Sequence, residues 1–164
     1  MALGAEDLGD EVLEVGPGFG PGTEVLAARG GRLTALELDP VLARPLRERL
    51  GSSVDIVEGD GTAMPFADSS FSGAACFTML HHVPSAEAQD RLFAEVCRVL
   101  HPGGVFAGTD STGRGIGFAL LHVGDTKVVI DPHELPPRLE GAGFGEISVS
   151  AGRDALRFSA RRPG

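Results

Sequence analysis

The feature that most narrows the fold is a change of texture between residues 11 and 20. Glu11-Val-Leu-Glu-Val15 is short, branched and apolar, and it breaks into Gly16-Pro-Gly18-Phe-Gly20. A buried strand running into a glycine-rich turn and then a helix is the opening unit of a parallel α/β sheet. Pro21 pre-sets a helical φ, so a helix is expected to open there, run over residues 23–29 and close at Gly30-Gly31.

The alternation continues along the chain. Residues 32–38 read as a second strand. Asp39-Pro40 reads as a helix start, with Asp as N-cap and Pro in the first helical position. That helix reaches Leu50 but holds Pro45, which lacks an N–H, so a kink or a late start is expected. Residues 54–57 make a third strand and 64–68 a loop. Residues 73–79 are continuously apolar, as in a strand buried on both faces. Ser85 can cap a helix to Leu100 with Leu92, Val96, Val99 and Leu100 on one face, stopped by His101-Pro-Gly-Gly. Residues 105–109 are a fifth strand. Asp131-Pro-His-Glu134 predicts a capping-box start to a last helix that Pro136-Pro137 must shorten or break. Residues 144–149 and 156–160 are final strands, and their short link predicts a hairpin with the last strand antiparallel. There is no internal repeat or linker, and 164 residues suit one domain over 1–164.

Charge and cysteine usage narrow the function classes. The net charge is −9, and the 14 basic residues form no run longer than Arg161-Arg162. Nucleic-acid binding rests on a basic footprint, so no nucleic-acid partner is expected. Cys76 and Cys97 have neither the company nor the spacing of a metal site, so no metal is expected. They read as small buried hydrophobes in a reducing compartment. The N-terminus lacks a signal-peptide pattern, and no apolar run approaches the ~18 residues of a membrane span. The expected location is therefore cytoplasmic.

Three acidic residues then stand out, each at the carboxyl end of a predicted strand. Glycines after the first strand let main chain approach a ligand closely. The dinucleotide fingerprint Gly-x-Gly-x-x-Gly needs a third glycine at position 21, which is Pro21. The pattern present is Gly16-x-Gly18-x-Gly20, with Glu14 two positions before it. A carboxylate there suits the ammonium of an amino-acid moiety better than a pyrophosphate. Glu37 ends the second strand and can accept both hydroxyls of a ribose, with Leu38 beside it able to cover a purine face. Asp60, after the third strand, can accept from the exocyclic amine of adenine. Each also has an ordinary structural use: a tight β–α turn, a surface carboxylate, a turn Asp. All three together lie where open α/β sheets bind ligands.

These stretches resemble a known family. Val12-Leu-Glu-Val-Gly-Pro-Gly-Phe-Gly20, Leu36-Glu-Leu-Asp-Pro40, Glu58-Gly-Asp-Gly-Thr-Ala-Met-Pro-Phe66, Phe71 through His81-His82-Val83, and Arg98-Val-Leu-His-Pro-Gly-Gly104 are similar to the class I S-adenosylmethionine-dependent methyltransferases. The likeness is to the type 11 group, which includes ubiquinone and menaquinone-pathway enzymes. Leu139-Glu-Gly-Ala-Gly-Phe144 is a weaker match. The resemblance implies a Rossmann-like α/β fold, a seven-stranded mostly parallel sheet of order 3-2-1-4-5-7-6 with strand 7 antiparallel and helices on both faces. It implies S-adenosylmethionine as cofactor and S-adenosylhomocysteine as product. It places the methionine part on Glu14, Gly16 and Gly18, the ribose on Glu37 and the adenine on Asp60, with Pro17, Gly20, Leu38, Gly61 and Thr62 also in the cofactor site. Backbone around Phe77 and Thr78 would flank the methionine amine. Ser72 departs from the Asp common there, and the helices that usually precede strand 1 have only ten residues of chain here.

Methyl transfer needs near-attack geometry more than a nucleophilic residue. His81 and His82 are the candidate bases, though both can simply cap the strand; His122 and His133 are weaker. The chain lacks the Asn/Asp-Pro-Pro-aromatic motif of many base and Gln N-methyltransferases and the Pro-Cys pair of cytosine-C5 enzymes. A small organic acceptor is the expected substrate. Two other readings stay open: a nicotinamide-dependent oxidoreductase, against which Pro21 argues, and a non-catalytic S-adenosylmethionine-binding module. Residues 110–130 form a long irregular stretch with Phe118, Leu120 and Leu121. They are expected to be a partial lid or an intermolecular contact, which would make a homo-oligomer, over an open cofactor cleft.

Overall fold

A computed structural model of the protein describes residues 7–113 and 128–164. Its strands are β1 (Glu11–Val15), β2 (Arg32–Glu37), β3 (Asp55–Glu58), β4 (Phe71–Phe77), β5 (Leu100–Ser111), β6 (Gly145–Ala151) and β7 (Ala155–Arg161). The helices among the described residues are α1 (Pro21–Ala27), α2 (Pro40–Leu50), α3 (Ala86–Val99) and α4 (Leu135–Gly141), with a short 3-10 turn at Leu80–His82. The seven strands form one sheet in the order β3-β2-β1-β4-β5-β7-β6. β1 to β5 pair in parallel, while β7 runs antiparallel to both β5 and β6. That is the expected topology, and the register brings the carboxyl ends of β1, β2 and β4 level, with Val15 opposite Leu36 and Cys76.

Strand alternation divides the core between the two faces of the sheet. Leu13, Val15, Leu36, Ala74 and Phe106 point to the side covered by α3 and α4, where they meet Leu92, Phe93, Val96, Leu135 and Leu139. Val12, Leu33, Ala35, Ala75 and Ala107 point to the other side, against Leu26 of α1 and Ala43 and Leu46 of α2. The helices flank both faces because the central strands are apolar on both.

Local chemistry explains most boundaries. Asp39 accepts from the Val41 N–H at 2.8 Å and caps α2, which starts at Pro40 without the delay expected from Pro45. A cap and a proline at the first helical position fix the start before Pro45 is reached. Ser85 accepts from the Ala88 N–H and caps α3 as read from the sequence. The start of α4 differs. Asp131 accepts from the His133 N–H in a preceding turn, and Glu134 is the N-cap without a side-chain bond. Pro136 and Pro137 fall in the first helical turn, where missing N–H groups cost nothing. The helix is thus shortened, and the expected capping box does not form. β5 begins at Leu100, five residues early, because Leu100 pairs with Phe71 before a register shift restores pairing at Val105. β6 carries another irregularity between Gly145 and Ser148, with Glu146 at φ 46°.

Candidate active site

The glycine turn leaves β1 with three left-handed residues, Gly16 at φ 67°, Gly18 at 56° and Gly20 at 89°. This region of φ suits glycine and penalises residues with a Cβ. Their surroundings differ. A Cβ on Gly16 would lie 2.9 Å from Met79, and one on Gly20 2.5 Å from Leu46, but one on Gly18 would meet nothing within 4 Å. The bare main chain at Gly18 therefore borders open space while its neighbours are packed. Arg49 donates to the Phe19 carbonyl at 2.7 Å and braces the turn, with the Phe19 ring exposed.

Glu37 ties this turn to the end of β2. Its Oε2 accepts from the Gly18 N–H at 3.0 Å and its Oε1 from the Asp39 N–H at 2.9 Å. The carboxylate is buried, whereas Leu38 beside it is 68% exposed. Asp60 follows β3 in an exposed turn, where it accepts from the Thr62 N–H at 2.7 Å. The Gly59 N–H donates to the Glu37 carbonyl, so the β2 and β3 ends are joined by main chain. Gly61 is packed near Leu92 and Val15, where a Cβ would lie 3.1 and 3.2 Å from their side chains.

Glu14 is the most perturbed acid of the group. It is 1% exposed, and burial pushes its carboxyl up from the ordinary 4.5 to about 7. The Glu37 charge acts in the same direction and the Thr23 hydroxyl against it. Yet Oε2 of Glu14 and Oγ1 of Thr23 both lack a partner in hydrogen-bond geometry among the described residues. A buried carboxylate oxygen with no donor is costly and calls for one from beyond the described residues. Gly22, at the start of α1, lets that helix pack closely on the strand ends: a Cβ there would lie 2.7 Å from the Glu14 Oε1 and 2.5 Å from the Phe77 ring.

The end of β4 supplies the opposite wall. Thr78 has φ 55°, uncommon for a β-branched residue, and its N–H donates to the Thr109 carbonyl at 2.7 Å. Next comes a buried pair that the sequence did not reveal. The His81 Nδ1 lies 2.5 Å from the Asp110 Oδ1, and the His81 main-chain N–H donates to Oδ2 at 3.1 Å. Oδ1 also accepts from the Ser111 N–H. Opposite a carboxylate so filled, Nδ1 is the donor nitrogen. His82 is exposed, with its ring 4.2 Å from that of His81. His133 is exposed in the turn before α4.

Glu14, the three glycines with Pro17, Glu37, Leu38, Asp60 to Thr62, and Phe77 with Thr78 thus converge on one edge of the sheet. Thr23, Gly22 and Asp110 join them. Asp110 had a signal, since it stands at the end of a predicted strand like Glu37 and Asp60. Thr23 and Gly22 had none beyond their place after the turn. His122, Phe118, Leu120 and Leu121 lie outside the described residues, and with them most of the expected lid. Cys76 and Cys97 are buried as expected, and burial pushes both thiols up. Among the described residues no three His, Cys, Asp or Glu side chains group to hold a metal ion, and no helix is long and apolar enough to cross a membrane.

Sheet order and loop set together define a Rossmann-like domain of the methyltransferase class. A model of the methyltransferase domain family matches residues 13–108. The chain belongs to that family, the class I S-adenosylmethionine-dependent methyltransferases. It is 30% identical over 165 residues to a probable S-adenosylmethionine-dependent methyltransferase of Mycolicibacterium smegmatis, covering 95% of this chain and 61% of that protein. It is 42% identical over 66 residues to the ribosomal RNA small subunit methyltransferase A of Anaeromyxobacter sp., covering 40% of this chain and 23% of that one. The chain therefore spans less than two thirds of the length of either relative. A crystal structure of a putative methyltransferase from Bacillus halodurans superposes with a TM-score of 0.77 at 19% identity, covering 98% of this chain and 95% of that one.

Proposed function

We propose that the chain binds S-adenosylmethionine at this edge and transfers its methyl group to a small organic acceptor. The observation that carries the reading is the Glu14 Oε2, buried and without a donor among the described residues, at the end of the strand whose following turn opens onto free space at Gly18. The residues fit an amino-acid ligand: Glu14 answers an ammonium, bare glycine main chain admits close approach, Glu37 keeps lone pairs for ribose hydroxyls, and Asp60 faces solvent with Oδ2 available to an adenine amine. When bound, the cofactor supplies a methyl on a sulfonium, which leaves readily to a nucleophile. The chain's part is to hold, orient and keep water away. His81 and His82 are the candidate bases for an acceptor that carries a proton. The net charge of −9 and the lack of a basic run favour a small molecule over RNA.

The test is ligand-induced stabilisation. S-adenosylhomocysteine at about 100 times its dissociation constant adds ~2.7 kcal/mol, a rise of roughly 5–10 °C in Tm for a domain this size. A shift with NAD and none with S-adenosylhomocysteine overturns the cofactor. Labelled methyl transfer separates the acceptors: label reaching structured RNA but no small molecule overturns the acceptor class. Binding without turnover on any acceptor favours the non-catalytic module.

A further inference from the structure

The loop between β3 and β4 carries Asp60 near its start, where the Thr62 N–H holds one carboxylate oxygen, and has no regular structure. One side chain grips its far half: Arg98, near the end of α3. Its Nε donates to the Glu95 Oε1 at 2.7 Å and its Nη2 to Oε2 at 2.9 Å. Nη2 also donates to the Met64 carbonyl at 3.2 Å, and Nη1 to the Phe66 carbonyl and the Asp68 carboxylate, both at 2.8 Å. All five guanidinium N–H groups are thereby used, three of them on this one loop. Glu95 completes the clamp by accepting the Met64 N–H at 2.7 Å, and the guanidinium holds its carboxyl below the usual range. The Arg98 carbonyl accepts the Ser69 N–H, so main chain from α3 grips the same loop.

At its other end the loop hangs from the Glu37 carbonyl through the Gly59 N–H. Between those anchors stand Asp60, Gly61 and Thr62. The Met64 side chain is buried in the core cluster on the α3 side of the sheet, so the loop has an apolar anchor that does not depend on Arg98. Losing the guanidinium would loosen the loop without removing that anchor.

We propose that Arg98, braced by Glu95, is a positioning residue for adenine recognition: it sets the β3–β4 loop so that Asp60 meets the exocyclic amine of the purine. This rests on the assignment of Asp60 to adenine. A lysine keeps the charge but cannot supply five donors in a fixed fork.

The test measures base selectivity, which a merely structural clamp would not move. Dissociation constants for S-adenosylhomocysteine and S-inosylhomocysteine, in which oxygen replaces the exocyclic amine, are obtained by calorimetry for the parent, Arg98→Lys and Glu95→Gln. The parent prefers the adenine ligand by about tenfold or more, as expected for a lost hydrogen bond to a carboxylate. In the variants that preference falls to about twofold or less, while the S-inosylhomocysteine affinity stays near that of the parent. If both ligands weaken equally and the preference survives, Arg98 only stabilises the fold and the inference is overturned. If the parent shows no preference, the adenine assignment itself fails and takes the inference with it. Should Arg98→Lys not fold, Glu95→Gln, which keeps the shape of the clamp, decides alone.

Discussion

The buried carboxyl of Glu14 makes the affinity for S-adenosylhomocysteine depend on pH in a direction fixed by its surroundings. Burial raises this group from the ordinary 4.5 to about 7, so in the free protein it is half protonated near neutrality. An ammonium ligand needs the anion and draws the bound carboxyl well below that value. Binding then expels the proton, and the apparent dissociation constant scales as one plus the protonated-to-ionised ratio. Going from about pH 8 to about pH 6 should weaken affinity about tenfold, or ~1.4 kcal/mol. At about pH 6.5 roughly 0.75 proton is released per ligand. Calorimetry in buffers of different ionisation enthalpy reads both quantities. Glu14→Gln should weaken binding and flatten the profile. The ligand-free fold carries the complementary sign. A carboxyl raised in the folded state contributes stability that is fully present below about 4.5 and is lost as pH rises through about 7, of order 3 kcal/mol in all. A parent affinity that is flat from about pH 6 to about pH 8, with no proton released, would refute the ammonium role of Glu14.

Three further outcomes follow from the same geometry. Gly18→Val places a branched side chain in the open space at φ 56°; it should lower Tm modestly and abolish stabilisation by S-adenosylhomocysteine, and a normal ligand shift in this variant would show that the space is not the ligand's. Glu37→Ala removes the acceptor for two main-chain N–H groups as well as the proposed ribose contact; the loss in affinity should be about 1–3 kcal/mol, and unchanged affinity by titration would refute the ribose assignment. Cys76→Ala and Cys97→Ala should each cost stability at most; a variant that melts normally but loses turnover would reveal a thiol function.

The fold was largely readable because its central strands are unusually plain. Residues 73–77 are apolar without interruption, residues 11–15 are broken only by Glu11 and Glu14, and each run ends at a polar or glycine turn, so strand identity and parallel pairing follow together. The hairpin of β6 and β7 was readable from its short link. Boundaries failed where prolines act by position: Pro136 and Pro137 open α4, and Pro45 leaves the start of α2 in place. Within the site, Glu14, Glu37 and Asp60 were legible because each stands at a strand end, where chain direction alone delivers a side chain to the crevice. The His81 and Asp110 pair was not, because 29 residues separate its members and only the register of β4 on β5 brings them together. Thr23 and Gly22 were invisible for a similar reason. Their roles depend on how closely α1 packs on Phe77 and Glu14, which no local pattern records.

Both margins of the sheet bear on how the domain behaves in a crowded solution. β3 presents only four residues at one margin. At the other, β6 carries its irregularity at Glu146, which breaks the run of evenly spaced amide groups that a foreign strand would need. Of the seven residues of β6 none is buried, so the margin offers little apolar surface for recruitment. A short margin and a kinked one are both poor templates for strand addition between molecules. The strands buried on both faces that make the fold readable are the segments most prone to cross-molecular stacking, and the topology keeps them in the middle, with β3 and β6 as bumpers.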